Sequence, residues 1–366
     1  MQFYKLEKLQ VTNFRNLNVD PVKFSEGVNC VFGQNGNGKT NLLEAVYFLC
    51  NKKSFRKNTG FPQIISVESA KAEILYSSIF ETENKQKISL SGKVASNESA
   101  WTLNNKPAKN KPKIASVFIN PFDSYAFHTI PSFRRNWVDQ YLSLISKEYK
   151  DVFSKYNQSL KFRNNLLAKK PKSHLQQIEA IDDQLAHYSK IATDLRLEFI
   201  EQLRPYCAKT FKLIFEETHH LEIKLESKFL NATQEEIRQF YRENLEKDDI
   251  IGRTSYGIHR DDYLFFFDGF NSFEFCSLGQ QKMSYLSLIF AYIELFRYKF
   301  SSYPIVLMDD VSGELDSRRW KNLIEYLQAK NFQVMITTAN ESFKQELEKI
   351  DNSNKLYVES GCIRNI

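Results

Sequence analysis

The stretch VFGQNGNGKTNLLEAVYFL, Val31 to Leu49, constrains this chain more than any other. Gly33, Gly36, Gly38, Lys39 and Thr40 satisfy G-x-x-x-x-G-K-[ST], the spacing of a phosphate-binding loop. The apolar run VNCVF before it, bounded by Gly27 and Gly33, reads as a buried strand. After it Leu42, Leu43, Val46, Leu49 and Cys50 fall at helical spacing, which predicts a helix from near Lys39. The glycines let the backbone curl so that N–H groups of Gln34, Asn35, Gly36, Asn37 and Gly38 face a phosphate. The helix adds its positive N-terminal end. Lys39 supplies a point charge for β- and γ-phosphates, and Thr40 Oγ is placed to ligate Mg²⁺. The chain is therefore expected to hold a nucleotide triphosphate. Many unrelated machines do so, and what this one does with it must come from elsewhere.

A second constellation is IVLMDDVSGELD. Ile305 to Met308 form an apolar strand that ends in Asp309 and Asp310. Ligands of open α/β sheets sit at that end of a strand. Asp309 is the natural partner of Mg²⁺, and Asp310 is placed to polarise an attacking water. A third is FCSLGQQKMSYL, where Ser277, Gly279 and Gln280 precede an amphipathic helix. Ser and Gly are ordinary helix-capping residues. Free N–H groups with a serine hydroxyl would equally bind a γ-phosphate.

Composition bounds the rest. The 366 residues are 42% apolar and 26% charged, as in a globular protein with a substantial core. No apolar run approaches the ~18 residues of a membrane span, and the N-terminal segment is interrupted by charges, so the expectation is a cytoplasmic protein. Cys30, Cys50, Cys207, Cys276 and Cys362 are scattered without metal-ligand spacing. The net charge of +6 permits nucleic-acid binding without demonstrating it.

Along the chain, β-rich pieces such as AEILYSSIF and SVFINP occupy residues 72 to 120. From Phe133 to Leu203 apolar residues recur every three or four positions, interrupted at Pro171. This predicts two amphipathic helices in an antiparallel hairpin, the second ended by Pro205. LEIKL and YLFFFDGF read as strands, with a tight turn at Asp268-Gly269. PIVLMDD and FQVMITT read as buried strands. The expected architecture is one α/β head built from residues 1–130 and 206–366, with residues 131–205 inserted as a mainly helical second lobe.

The order of these motifs carries a resemblance. VTNFRNL, GQNGNGKTNLLEAVYFL, PSFRRNWVD, SLKFRNNLLAKK, GIHRDD, SLGQQK, MDDVSGELD, QVMITTANE and YVESGCI run nearly end to end. The chain resembles the RecF family of DNA replication and repair proteins, relatives of the structural-maintenance-of-chromosomes and ABC-type ATPase heads. The resemblance implies an ATP-controlled DNA-binding protein that works as a homodimer at gapped or junction DNA. It also implies help in loading a recombinase through recombination mediator proteins, and slow ATP hydrolysis that releases the dimer. Gly36, Gly38, Lys39 and Thr40 would then hold phosphate and Mg²⁺. Asp309 and Asp310 would serve metal and water, and Ser277, Gly279 and Gln280 would clamp the γ-phosphate bound to a second subunit.

The chain departs from the family pattern at Gly313, Ile258, Phe122, Ser124 and Lys282. None of these touches the phosphate loop or the acidic pair. Candidate DNA contacts are Arg15, Lys52, Lys53, Arg56, Lys57, Arg134, Arg135, Lys169, Lys170 and Lys172, although charge runs are more often solvated faces. Arg56 is alternatively a phosphate or adenine contact, and His259 is structural or catalytic. Two other classes remain: an ATP-binding regulatory scaffold without hydrolysis, and a transporter-type ATPase subunit. Against the second stand Thr337 and Thr338, where such subunits usually carry a histidine.

Overall fold

A computed structural model describes residues 4–17, 20–56, 58–67, 69, 72–109, 111–120, 122–215, 219–310, 315–330, 332–338 and 340–365. The chain divides into two compact units, residues 1–124, 213–216 and 293–366, and residues 125–212 and 217–292.

The first unit is built on a six-stranded sheet ordered Cys362–Asn365, Asn354–Glu359, Val28–Phe32, Val334–Thr337, Ile305–Asp309 and Ser116–Ile119. All neighbours are parallel except the first pair, a terminal hairpin. Parallel strands are covered on both faces, so they read as continuous apolar runs. Val28–Phe32 is buried at every position, as are Ser116–Ile119 and Val334–Thr337. The helix Lys39–Asn51 follows the central strand. A second, antiparallel sheet includes Tyr4–Thr12, Ile74–Thr82 and Lys87–Val94. Its buried Leu6, Leu9, Phe80 and Leu90 join the same apolar core as Leu42, Val46 and Leu307. The α/β head assembled from both ends of the chain is thus present.

The second unit holds the helices Pro131–Ile145 and Lys147–Lys169 and most of His174–Phe215. It also holds a three-stranded sheet of Leu221–Glu226, Asp262–Phe267 and Phe270–Asn271. The turn at Asp268-Gly269 has both residues at positive φ, as a two-residue hairpin loop requires. Residues 217–292 therefore cluster with the helices, whereas the sequence grouped all of 206–366 with the head. Aromatic contacts such as Phe127–Phe265 and Tyr141–Tyr292 join these segments, as do ion pairs that no local pattern announces. Arg134 holds Asp262 through two bonds of 2.8 Å, and Arg196 reaches both Asp139 (2.7 Å) and Asp261 (2.8 Å). Arg163 reaches Asp182 and Asp248, each at 2.6 Å.

Two helix boundaries differ from expectation. The first arm of the hairpin breaks at Ser146, whose Oγ accepts from Tyr149 N and starts a new helix. Pro205 does not end the second arm, which runs on to Phe215. A proline costs a mid-helix ~3 kcal/mol. Phe199, Leu203, Cys207 and Phe211 keep one buried stripe through it, and their burial outweighs the lost hydrogen bond.

Candidate functional site

The phosphate loop is shaped by its neighbours. Gly33 lies at φ 145°, and a Cβ there would stand 2.3 Å from the Val358 carbonyl oxygen. Gly38, at φ 113°, leads into the helix. Lys39 is buried and turns back over the loop, donating to the carbonyls of Gly33 (2.7 Å) and Gln34 (3.1 Å). Burial lowers its pKa, and Asp310 and Asp309 oppose that shift. The ammonium thus sits inside the loop, where a phosphate would replace its carbonyl partners.

Thr40 joins the loop to the acidic strand. Its Oγ1 donates to Asp309 Oδ1 at 2.9 Å and Oδ2 at 3.1 Å. Thr337, at the end of the strand between them, donates to Asp309 Oδ1 at 2.8 Å. Burial raises the pKa of Asp309, while the two threonine hydroxyls lower it. Among the described residues no lysine or arginine forms an ion pair with this carboxylate. A half-buried acid of raised pKa beside a hydroxyl suits a small hard cation. Two protein oxygens are what Mg²⁺ takes when phosphates and waters complete its shell. Asp310 follows at φ 49°, its N–H bonded to both oxygens of Thr337. The positive φ turns the chain sharply at the end of the strand, on the rim of the site.

These groups border a cavity of about 290 Å³ lined by Gly36, Gly38, Lys39, Thr40, Asn41, Arg56, Asp309, Asp310 and Thr337, among others. Arg56 is fixed there by Asn41 Oδ1 (2.7 Å) and by the fully buried Glu44 (3.2 Å). Arg15 holds the same Glu44 bidentately at 2.6 and 2.9 Å, and Ser54 Oγ donates to it. One carboxylate between two guanidiniums leaves positive charge beside the loop. Thr337, Asn41 and Glu44 were not among the sequence candidates. Thr337 was legible in principle, because FQVMITT ends in hydroxyls at the same sheet end as IVLMDD.

Ser277, Gly279 and Gln280 lie in the second unit, at the start of the helix Leu278–Phe300. Ser277 N donates to Gln280 Oε1 (2.9 Å), and Gln280 N donates to Ser277 Oγ (3.3 Å). This reciprocal cap shapes the helix end. Beneath it, His128 Nε2 bonds the Gln281 carbonyl (3.0 Å) and Ser272 Oγ bonds His128 Nδ1 (2.8 Å).

The basic candidates divide. Arg15, Arg56 and Arg134 are held by Glu44 and Asp262, and Lys170 pairs with Asp249 at 2.9 Å. Arg135 donates to the Asp261 carbonyl. Lys52, Lys53, Lys169 and Lys172 are exposed. Lys57 and Gly313 lie outside the described residues, as does the Phe122 side chain. His259 shares a 2.8 Å bond with the Tyr156 hydroxyl, and burial lowers its pKa to about 4, a structural setting. Ile258 is fully buried, and its carbonyl accepts from Arg196.

Comparisons with known proteins place the chain among relatives. A family model described as RecF/RecN/SMC N terminal domain matches residues 5–363. The DNA replication and repair protein RecF of Clostridium novyi (strain NT) is 31% identical over 339 residues, 91% of this chain and 92% of that protein. A solved structure of the recombination mediator protein RecF with ATP, in the RecFOR pathway, is 25% identical with a TM-score of 0.86. That alignment covers 99% of this chain and 98% of the other. An Smc head domain with an extended coiled coil from Pyrococcus furiosus shares the fold at a TM-score of 0.58 and 15% identity, over 99% of this chain and 96% of that one.

Proposed function

The chain belongs to the RecF/RecN/SMC N terminal domain family, and from that premise we propose that it is an ATP-dependent DNA-binding protein of recombinational repair and replication. The observation that carries this is the bond from Thr40 to Asp309, which joins the phosphate loop to the acidic strand. Similarity to RecF over nearly the whole chain supports it.

In this reading the loop from Gly33 to Thr40 cradles the phosphates of ATP and Lys39 neutralises them. Thr40 and Asp309 would hold Mg²⁺, which when bound offsets charge on the phosphate oxygens. Asp310 orients the attacking water and accepts its proton. Ser277, Gly279 and Gln280 act on the nucleotide of a second copy, through backbone N–H groups at a helix start. Each copy then owns half of two sites, so ATP drives a homodimer and hydrolysis releases it. Gapped or junction DNA is the proposed substrate, and the mediator setting of the similar RecF structure supports recombination mediator proteins as partners.

The test is solution molar mass by light scattering for wild type and Asp310→Asn, with and without Mg-ATP, alone and on a short gapped duplex. The expected result is an ATP-dependent dimer that persists longer in Asp310→Asn and is favoured by DNA. Equal dimer lifetimes in the two proteins would favour a scaffold that does not hydrolyse ATP. A mass unmoved by nucleotide would overturn the two-copy site.

A further inference from the structure

Four of the basic residues that stand out in the sequence, Arg15, Arg56, Arg134 and Lys170, are paired with Glu44, Asp262 and Asp249. Other cations of the second unit are not. Lys228 follows the strand Leu221–Glu226, Lys247 lies on the helix Leu245–Ile251, and Arg260 ends the turn Ile258–Arg260. All three are exposed, and none forms an ion pair among the described residues.

Tyr256 gathers two of them. Lys228 Nζ stands 3.8 Å from its ring centroid, and Lys247 Nζ stands 4.8 Å from it and 3.3 Å from its hydroxyl. Phe240 packs edge-on against the same ring at 5.6 Å. A carboxylate would cancel these charges; an aromatic face holds an ammonium in place and leaves its charge intact. Lys228 and Arg260 border an open cavity of about 680 Å³ whose lining also includes Ser227, Phe229, Tyr256 and Gly257, and Lys247 stands beside it on the Tyr256 ring. Of the two carboxylates there, Asp261 is bonded by Arg196 at 2.8 Å, while Glu226 is exposed. Positive charge is therefore in excess. Open, and lined from separate segments, the cavity suits a chain of phosphates better than one enclosed anion.

We propose that Lys228, Lys247 and Arg260, set around Tyr256, form a phosphodiester-binding surface that contacts the DNA backbone. This rests on the DNA-binding function proposed above and gives it a location that no run of basic residues marks. Backbone contacts of this kind supply affinity rather than sequence preference.

The test is fluorescence anisotropy of the full chain on a labelled gapped duplex across a salt series, with ATP affinity as the control for folding. The triple variant Lys228→Ala, Lys247→Ala, Arg260→Ala is expected to bind about tenfold or more weakly, and its log–log salt slope to shallow by about 3. Tyr256→Ala is expected to lose several-fold although it removes no charge, and Tyr256→Phe to stay near wild type. DNA binding by the triple variant at wild-type strength and slope overturns this surface alone. A wild type that does not bind DNA overturns the proposed function with it. Displacement of DNA by millimolar inorganic phosphate at constant ionic strength, abolished in the triple variant, identifies a small-anion pocket and overturns the DNA assignment.

Discussion

Thr40 Oγ1 lies 2.9 Å from Asp309 Oδ1, although 269 positions separate the two residues. The sheet makes this possible. Val334–Thr337 lies between Val28–Phe32 and Ile305–Asp309, so its last residue, Thr337, closes the gap with a 2.8 Å bond to the same carboxylate. The result is a half-buried acid held by two hydroxyls, arranged for a cation to enter.

Asp309→Asn should weaken ATP binding at least tenfold in Mg²⁺ and little in EDTA, measured by calorimetry in both buffers. The carboxylate is needed for the metal and not for the phosphates. Because burial raises the Asp309 pKa, its charge costs stability at neutral pH. The nucleotide-free variant should therefore melt higher than wild type. Equal losses in EDTA and Mg²⁺ would remove Asp309 from the metal site.

Lys39→Ala should abolish detectable binding of a fluorescent ATP analogue while leaving the circular dichroism spectrum and urea midpoint nearly unchanged. Its ammonium bonds the carbonyls of its own loop, Gly33 and Gln34, so its removal disturbs little else. Retained nucleotide affinity would contradict the phosphate role.

Ser277→Arg should leave ATP binding intact and block ATP-dependent dimerisation and hydrolysis. Mixed with Lys39→Ala, it should recover part of the ATPase rate, because a mixed dimer contains one site with both halves intact. Two inactive proteins that stay inactive when mixed would argue against a site shared between copies.

Acid should destabilise the protein above the pH range in which ordinary exposed carboxylates titrate. Burial lowers His128 and His259 from 6.5 to about 4. As pH falls, the unfolded chain takes up these protons first, so stability is full above about 6.5 and is lost toward about 4. Each contributes up to about 3 kcal/mol. Asp261 opposes the loss, since burial raises it from 3.8 to about 6 and its folded form gains a proton in that window. Asp182 and Asp309 are raised in the same sense but by less, so the two histidines leave a net loss. The urea midpoint should fall from pH 7 to 4.5, less steeply in a His128→Gln, His259→Gln variant. A flat wild-type profile would be inconsistent with two buried neutral histidines.

Local chemistry was legible where it depends on neighbours in sequence. GQNGNGKT specified its loop because glycine spacing and a following helix are short-range requirements, and IVLMDD specified a strand ending in acids because parallel strands are buried throughout. The turn at Asp268-Gly269 was legible for the same reason. Pro205 misled, because the buried stripe from Phe199 to Phe211 stabilises a helix more than one missing N–H costs. The basic candidates were legible only as charge: Arg15, Arg56, Arg134 and Lys170 are held by carboxylates, while Lys52, Lys53, Lys169 and Lys172 are exposed. Charge shows in a sequence, but whether Glu44 or Asp262 neutralises it does not.

The sequence by itself determined a phosphate-binding loop on an α/β head, and its motif order determined the family. Tertiary structure decided which groups share the site. Thr337 reaches it only because strand order brings a distant segment to the same end of the sheet, and Arg56 because Glu44, on the helix Lys39–Asn51, holds it there. It decided equally that residues 217–292 cluster with the helices, through aromatic contacts and the ion pairs of Arg134, Arg163 and Arg196. The physical reason is common to both. Periodicity and turn chemistry act over a few residues, whereas an ion pair or a shared carboxylate depends on distances that only the folded chain sets.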